Sequence, residues 1–162
     1  PQIAAGIMKS NIRQLVREHM EAAGTACRCI RCREVGHTGT VLCDRSHAEV
    51  ETVEYEAGGG LERFICFECG DALVGYVRLR TDATDTANIR ELKVFGRMAA
   101  IGAEGDDWQH RGFGRELMAL AEARAREDGK KRVRVTSGVG VRAYYRALGY
   151  RLEAPYMVKD LD

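Results

Sequence analysis

One stretch decides the fold of this chain: Trp108-Gln109-His110-Arg111-Gly112-Phe113-Gly114-Arg115-Glu116-Leu117. Two glycines separated by one residue run directly into a segment whose apolar residues recur at helical spacing. This pattern predicts a glycine-rich turn that opens an amphipathic helix. The turn would present backbone N–H groups at the positive end of the helix dipole, and glycine lets a ligand approach the backbone closely. We expect an anion or pyrophosphate site here, although glycines that merely cap a helix give the same local pattern.

The length and composition of the chain limit the class of protein. Its 162 residues, 45% of them hydrophobic, are enough for one domain with an ordinary core. The net charge of +1 indicates no overall attraction to nucleic acid, although local basic clusters can still bind phosphates. No apolar run approaches the ~20 residues that cross a bilayer, and no signal peptide is recognisable. We expect a cytoplasmic protein without a membrane partner and, because it opens at Pro1, a piece of a longer chain or a trimmed form.

Three of the six cysteines, Cys27, Cys29 and Cys32, lie close together. Disulfides between such near neighbours are strained, so the spacing favours a metal, or free thiols in a reducing compartment. Sulfurs two and three residues apart can converge on one ion, and zinc bound by thiolates is the expected chemistry. A closed zinc site has four ligands, and the candidates for the fourth are His37, Cys43, His47 and a residue of a missing domain.

Three arginines, Arg28, Arg31 and Arg33, lie between and beside these cysteines and form a local basic patch. Their positive charge would lower the pKa of the neighbouring thiols, and it also suits the phosphates of a nucleic acid. We therefore expect these three side chains to form a phosphate-binding patch.

The remaining pattern predicts the order of helices and strands. A helix capped by Ser10 and ended by Gly24 precedes the cysteines, and strands begin at about residue 48. Short glycine-containing turns between the first strands imply an antiparallel meander. The expected segments are strands at 50–55, 61–69, 73–79 and 87–94, a helix ending near Gly129, a strand at 133–136, a short helix at 141–148 and closing strands at 150–152 and 156–159.

The long helix connects the fourth strand to the fifth as a crossover, so these two strands are expected to run parallel. The predicted fold class is α/β (α+β), with a mixed, mostly antiparallel sheet that contains one parallel pair. We divide the chain into residues 1–47, a helix with the cysteine zinc-binding linker, and residues 48–162, the sheet domain. A helix N-terminus at the carboxyl end of parallel strands is where α/β sheets bind ligands.

Two motifs resemble a known superfamily. The sequence Gln109-x-x-Gly112-x-Gly114 is similar to the acyl-CoA pyrophosphate loop of the GCN5-related N-acetyltransferases (GNAT), and Tyr145-x-x-x-Gly149-Tyr150 is similar to their closing motif. The resemblance implies the GNAT acyl-CoA N-acyltransferase fold, in which the parallel pair splays apart, and acetyl-CoA as the cofactor. The chain has no Gly-Lys-Ser/Thr sequence, which argues against a nucleotide-binding P-loop.

All motifs taken together resemble a more specific family within this superfamily. In order, from about residue 10 to 160, they look like the carboxy-terminal lysine-acetyltransferase-like domain of the Elongator catalytic subunit (subunit three) family. The motifs are Cys27-Arg-Cys-Ile-Arg-Cys-Arg-Glu-Val-Gly36, Arg90-Glu-Leu-Lys-Val-Phe-Gly96, Gln109-His-Arg-Gly-Phe-Gly114, Ser137-Gly-Val-Gly-Val-Arg-Ala-Tyr-Tyr145, and Gly149-Tyr150 with Pro155-Tyr-Met157.

That family joins this domain to an amino-terminal radical S-adenosylmethionine domain, and together they build the carboxymethyl group on the wobble uridine of tRNA from acetyl-CoA. S-adenosylmethionine and the iron–sulfur cluster belong to the absent domain, because the cysteines here lack the iron–sulfur spacing. The resemblance implies tRNA-triggered acetyl-CoA hydrolysis or acetyl transfer. It implies the tRNA anticodon stem-loop, the radical domain, and a second copy or other Elongator subunits as partners. The fragment should bind the coenzyme and part of the tRNA without completing the modification.

The resemblance also implies roles for single residues. The pyrophosphate would be held by the turn residues Gln109, His110, Arg111, Gly112, Phe113, Gly114 and Arg115. The acyl arm would lie along Glu91, Leu92, Lys93 and Val94. Glu91 is the candidate base or water-orienting group, unless a salt bridge with Arg90 or Arg142 engages it. Tyr145 would contact the cofactor and protonate the leaving thiolate, and Tyr144 is the alternative, since a short helix aims only one of the two into the cleft.

Two other functions stay open at this point. One is a protein (histone-type) lysine acetyltransferase of the same fold, and the other is a non-catalytic zinc- and RNA-binding module. Release of CoA in the presence of tRNA or of lysine peptides would separate the three functions.

Overall fold

A computed structural model describes residues 11–35, 47–95 and 112–161 of the protein. The helices in these residues are α1 (Ile12–Ala22), α2 (Ile30–Arg33), α3 (Phe113–Glu127) and α4 (Arg142–Ala147). The strands are β1 (Glu49–Ala57), β2 (Gly60–Cys69), β3 (Ala72–Thr81), β4 (Thr86–Val94), β5 (Arg132–Thr136), β6 (Arg151–Glu153) and β7 (Tyr156–Asp160). No helix of this described part is long and apolar enough to cross a membrane.

The seven strands form one sheet in the order β1-β2-β3-β4-β5-β7-β6. Strands β1 to β4 pair antiparallel with their neighbours in sequence, which confirms the predicted meander. Gly58 and Gly59 make the tight β1–β2 turn, and both have positive φ, 53° and 72°. A two-residue hairpin turn of this kind matches the strand twist only with such backbone angles, which is why glycine stands there.

Strands β4 and β5 run parallel, as predicted, with α3 connecting them. Strand β7 then pairs antiparallel with β5, and β6 pairs with β7 at the edge of the sheet. The sequence predicted a closing hairpin, but not that its second strand, β7, lies next to β5 while its first strand, β6, forms the edge of the sheet. Local pattern gives the strands, whereas the pairing partner depends on contacts distant in sequence.

The main core lies between the sheet and α3. Helix α3 buries Phe113, Leu117 and Met118, which belong to one cluster with the β-strand side chains Val74, Val77, Leu79, Ile89, Val133 and Val135. Each such side chain contributes about 2 kcal/mol through removal of apolar surface from water. The opposite face carries a smaller cluster of Phe64, Cys66, Leu73, Tyr76 and Phe95. Because strand side chains alternate, Arg78 and Arg80 of β3 also project on this opposite face.

Helix α1 differs from the prediction at its start. Asn11 occupies the N-cap position without a side-chain hydrogen bond, and Ser10 lies outside the described residues. The end is as predicted, because Gly24 has φ of 68° and the amide of Thr25 bonds to the Met20 carbonyl at 2.9 Å. No residue of α1 is buried in the described part of the chain.

A largely buried ion pair ties the end of α3 to β2. Arg63 donates to both carboxylate oxygens of Asp128, the residue that follows α3, and its Nη2–Oδ1 distance is 2.9 Å. Asp128 also accepts a hydrogen bond from the Thr81 hydroxyl at 3.0 Å. The bond from Arg63 holds the pKa of the Asp128 carboxyl below its ordinary value.

We expect Asp128→Asn to lower the free energy of unfolding by about 2 kcal/mol at pH 7, because Arg63 loses the more buried of its two carboxylate partners and keeps only Glu54. A carboxyl with a lowered folded-state pKa stabilises the fold above its unfolded pKa of about 4 and loses that effect as the pH falls through the folded value. The wild-type advantage should therefore shrink in acid. Urea unfolding at pH 7 and at pH 3 measures it.

The exposed pair of Arg17 and Glu21 on α1, 2.7 Å apart, provides the control. Glu21→Gln should cost less than about 0.5 kcal/mol, because exposed pairs are screened by water. Equal losses of unfolding free energy in the two variants would show that the Asp128 pair stabilises the fold no more than an exposed ion pair does.

Candidate functional site

The parallel strands β4 and β5 part after a short pairing. Their register runs from Thr86↔Arg132 to Ile89↔Val135 and stops there, although β4 continues to Val94. A bulge in β4 begins at the same point, because Arg78↔Glu91 is followed by Leu79↔Ile89 and leaves Arg90 as the extra residue. Among the described strands, β4 has no partner on this side beyond Ile89. Its backbone groups there are available to a ligand.

The glycine-rich turn lies beside this gap. Gly112 has φ of 87° and occupies the N-cap position of α3, and no side chain of a described residue caps the helix. The next residue, Phe113, is fully buried and packs edge-on against Phe67 with ring centroids 5.0 Å apart. The buried Phe113 side chain therefore anchors the turn to the core. The backbone N–H groups at the helix N-terminus can accept an anion. Gln109, His110 and Arg111 lie outside the described residues.

Gly114 brings the turn, β4 and α4 together. A Cβ at this position would lie 2.9 Å from the Tyr144 hydroxyl and 3.6 Å from Cγ2 of Val94. Any side chain here would push into the entrance of the gap. The position therefore needs glycine because of space, whereas Gly112 needs it because of its backbone angle.

The two tyrosines of α4 point in different directions, as the sequence predicted for a short helix. Tyr145 is buried in the main core, and its ring contacts Tyr150 edge-on with centroids 5.8 Å apart. Tyr144 is partly exposed, and its hydroxyl is the group next to Gly114. Burial raises the pKa of both phenols, although the charge of Arg115 opposes this for Tyr144. Both hydroxyls stay protonated at neutral pH and can donate a proton.

Glu91 lies at the bulge with a half-exposed carboxylate. It accepts a hydrogen bond from the Tyr76 hydroxyl at 2.7 Å, and Arg78 lies 4.0 Å away. The ion pair with Arg90 or Arg142 considered from the sequence does not form, because Arg90 is bonded to Glu62 instead. Glu91 is thus oriented but not neutralised by a close ion pair.

Sequence reasoning missed Tyr76, Arg78 and Glu62, which surround Glu91 on the face opposite α3. Glu62 is buried and pairs with Arg90 at 2.6 Å and with Arg80 at 3.2 Å. Burial opposes its ionisation, but these bonds outweigh it and hold its pKa below the ordinary value. Burial and the bond to Glu91 raise the pKa of Tyr76. Only the cross-strand register, which places Arg78 opposite Glu91, could have identified this network.

The other residues expected along the acyl arm lie on both faces of β4. Leu92 and Val94 pack against the main core below α3. Lys93 projects on the other face, and its ammonium lies 4.6 Å from the ring centroid of Phe95. The backbone of β4 from Leu92 to Val94 runs along the gap.

The cysteine cluster forms a possible metal site. The sulfurs of Cys27, Cys29 and Cys32 all lie within 4.8 Å of one another, and no other group of described His, Cys, Asp or Glu residues converges in this way. Hydrogen bonds from the Cys32 amide and from the neighbouring thiols lower the pKa of Cys29 to about 7, whereas its neighbours raise that of Cys32 to about 11. The sulfurs thus share protons that a metal would replace.

A fourth ligand is not present among the described residues. His47 does not join the cluster, and His37 and Cys43 lie outside the described residues. Cys66 is fully buried and does not join the cluster, and burial raises the pKa of its thiol to about 12.

The three arginines of the cluster differ in their surroundings. Arg33 is ion-paired with Glu68, and both side chains are largely buried. Arg28 pairs with Asp71 at 2.6 Å in the exposed β2–β3 turn. These two bonds dock the cluster onto the end of β2 and the β2–β3 turn, and the bond from the Val35 amide to the Leu73 carbonyl docks it onto β3. Arg31 is exposed and forms no ion pair with another described residue, so it is the arginine most available to an outside phosphate.

Comparison with known proteins gives one consistent result. Residues 41–150 match the model of the acetyltransferase (GNAT) family. A tRNA uridine(34) acetyltransferase of Methanocaldococcus infernus is 45% identical over 98% of this chain, which covers 33% of that relative. Elongator complex protein 3 of Drosophila melanogaster is 39% identical over 100% of this chain, which covers 32% of it.

A solved structure leads to the same result as the sequence comparisons. The archaeal Methanocaldococcus infernus Elp3 with an N-terminal deletion superposes with a TM-score of 0.85 and 44% identity, covering 98% of this chain and 41% of that chain. The chain spans about a third of the length of the curated relatives it matches.

Gly112→Ala is expected to lower the free energy of unfolding by about 1 kcal/mol, because a residue with a Cβ strains the backbone at φ of 87°. Gly138→Ala is the matched control at the other side of the gap: its φ is −62°, and nothing lies within 4 Å of the added Cβ. Denaturant unfolding should show no loss for Gly138→Ala. Equal stability of the two variants would contradict the geometry of the turn.

Proposed function

Because the chain belongs to the acetyltransferase (GNAT) family, we propose that it binds acetyl-CoA between β4 and β5, with the pyrophosphate at the N-terminus of α3. The observation that carries this proposal is the unpaired edge of β4 beyond Ile89 next to the uncapped turn at Gly112. The amides of the turn suit an anion, and the lack of a side chain at Gly114 leaves room for it. Gln109, His110, Arg111 and Arg115 complete the proposed pyrophosphate site, and the β4 residues Glu91, Leu92, Lys93 and Val94 flank the acyl arm.

Acetyl-CoA would supply an activated acetyl group as a thioester. Tyr145, with Tyr144 as the alternative, donates the proton that the leaving thiolate needs, since its raised pKa keeps it protonated. Glu91 orients the attacking water or acceptor through its carboxylate, which Tyr76 holds in place. The hydroxyl of Tyr144 is the one that reaches the turn, so the two tyrosines have to be tested separately.

The relatives' names indicate the wider reaction. We infer that this chain is the acetyl-CoA-binding part of an enzyme that modifies tRNA at uridine 34, with the tRNA anticodon stem-loop as a partner. A radical S-adenosylmethionine domain in the longer protein, which would hold S-adenosylmethionine and an iron–sulfur cluster, is proposed to complete the modification. A second copy or other Elongator subunits are proposed as further partners.

The cysteine cluster is proposed to bind zinc. Three thiolates within 4.8 Å match the preference of zinc for sulfur, and a ligand from His37, Cys43 or another domain would close the site. Zinc would fix the segment that carries Arg28 and the α2 residues Arg31 and Arg33. These arginines are proposed to contact RNA, with Arg31 the most accessible.

The test of the main proposal measures CoA release by the 162-residue chain from acetyl-CoA alone, with tRNA and with lysine peptides. Stimulation by tRNA but not by peptides is expected. Acetylated peptides would assign a protein acetyltransferase instead, and the absence of acetyl-CoA binding in calorimetry would reject both functions.

Tyr145→Phe is expected to slow CoA release by about 100-fold while the Kd for acetyl-CoA changes less than about threefold, because only the proton donor is lost. Tyr144→Phe is the matched comparison on the same helix and should release CoA at nearly the wild-type rate. The reverse outcome would transfer the role to Tyr144, and weakened binding by Tyr145→Phe would make that residue structural.

Cys29→Ser is expected to reduce bound zinc from about one ion per chain to well below one, because the cluster loses a thiolate ligand. Cys66→Ala removes a buried thiol outside the cluster and should leave the zinc content unchanged. Metal analysis of the purified variants measures both. Unchanged zinc in Cys29→Ser would remove the assignment.

A further inference from the structure

A polar cavity of about 410 Å³ lies on the sheet face opposite α3. The side chains that line it come from β3, β4, β5 and β7 and include Arg80, Asn88, Arg90, Arg134, Thr136 and Tyr156. None of them belongs to the proposed acetyl-CoA site, and none was singled out as a binding residue from the sequence. We call it the Arg134 cavity.

The cavity borders the point where β4 and β5 part. Ile89↔Val135 is their last pair, and the next residues on the two strands, Arg90 and Thr136, both line the cavity. The turn at Gly112 begins the helix on the other face of the sheet. The gap proposed for the acyl arm thus has the pyrophosphate turn on one side and the Arg134 cavity on the other.

Arg134 brings a positive charge that no described carboxylate neutralises. Its Nε donates to the Asn88 side-chain oxygen, and its guanidinium lies 4.8 Å above the ring centroid of Tyr156. These contacts hold the guanidinium plane but do not cancel its charge. Because a guanidinium has five N–H donors, most of them are left for an incoming acceptor.

The neighbouring arginine on the same strand shows the contrast. Arg132 projects on the same face two residues earlier, but it pairs with Asp160 at 3.0 Å and lies 3.6 Å from Glu153. Two arginines of one strand therefore differ in whether a carboxylate pairs with the guanidinium. Arg132 is neutralised within the sheet, and Arg134 is not.

The floor of the cavity holds the other arginines in place. Glu62 is 1% exposed and accepts from Arg90 and Arg80, so one buried carboxylate serves two guanidinium groups. Arg80 also donates to the carbonyls of Ala57 and Gly58, which leaves Arg90 as the more accessible of the two. Asp82 is the carboxylate of the lining, and the backbone amide and hydroxyl of Thr84 engage it. The cavity keeps a net positive charge.

We propose that the Arg134 cavity binds a backbone phosphate of the RNA acceptor, with Arg134 as the principal donor and Arg90, which Glu62 holds, beside it. This inference rests on the tRNA-linked function proposed above and adds where the RNA backbone is held. Guanidinium groups on neighbouring strands suit the oxygens of a phosphodiester. RNA is favoured over an acidic protein segment because the cavity borders the point where β4 and β5 part, where an acceptor base has to arrive.

The test measures binding of a fluorescently labelled tRNA anticodon stem-loop to the 162-residue chain by anisotropy at several salt concentrations. Arg134→Gln should weaken binding about five- to tenfold and reduce the slope of log K against log salt by about one, because one phosphate contact is lost. Arg134→Lys should keep the slope and lose part of the affinity. Arg132→Gln is the matched control and should bind within about twofold of wild type.

Acetyl-CoA binding by calorimetry and thermal melting are measured on the same variants. Wild-type RNA affinity in a folded Arg134→Gln overturns this inference and leaves the proposed function intact. No RNA binding by the wild-type chain overturns the tRNA-linked function and this inference with it. If an acidic peptide, but not RNA, binds in an Arg134-dependent manner, the cavity belongs to a protein partner. If Arg134→Gln does not fold, the affinity of Arg134→Lys decides: wild-type affinity for the stem-loop overturns the inference, because a bidentate guanidinium contact would be weakened by lysine.

Discussion

The early end of the β4–β5 pairing is the constraint on which the rest of the structure depends. Parallel strands joined by a crossover helix place the N-terminus of that helix at their carboxyl ends, where β4 runs on alone beyond Ile89. A continued ladder would satisfy the β4 backbone and close the gap. The bulge at Arg90 lies where this pairing stops, and β5 itself ends one residue after Val135, at Thr136. The unpaired backbone of β4 and the turn at Gly112 therefore lie at the same end of the parallel pair.

The face opposite α3 shows how charges are arranged around that gap. Its strands carry arginines between apolar residues, and a single buried carboxylate, Glu62, organises Arg80 and Arg90. Burying one ionised group is tolerable only when paired and hydrogen-bonded, and Glu62 meets both conditions. Glu91 and Arg134 stand at either end of this network with partners that orient them without neutralising them. Beside the gap, Glu91 keeps a negative charge with Arg78 4.0 Å away, and Arg134 keeps a positive charge that pairs with no described carboxylate.

The cysteine cluster is attached to the same sheet from outside its core. Arg33 and Arg28 bond to Glu68 and Asp71 at the β2–β3 turn, and the backbone of Val35 bonds to Leu73. Two of the three arginines beside the cysteines are therefore used to hold the cluster in place. A metal in the cluster would rigidify a segment already docked on β3, which links the cluster to the strand that carries Tyr76 and Arg78.

The sequence by itself determined the elements and the glycine-rich turn. Alternation gave the strands, helical spacing gave α3, and the crossover argument gave the parallel pair, because these depend on neighbours along the chain. The sequence also brought Cys27, Cys29 and Cys32 together through their spacing. Only the tertiary structure decided what depends on register: that Glu91 bonds to Tyr76 rather than to Arg90, that β7 lies inside β6, and that Arg134 keeps its charge while Arg132 does not. Those partners are set by how distant strands align, and a one-residue shift in register would exchange every one of them.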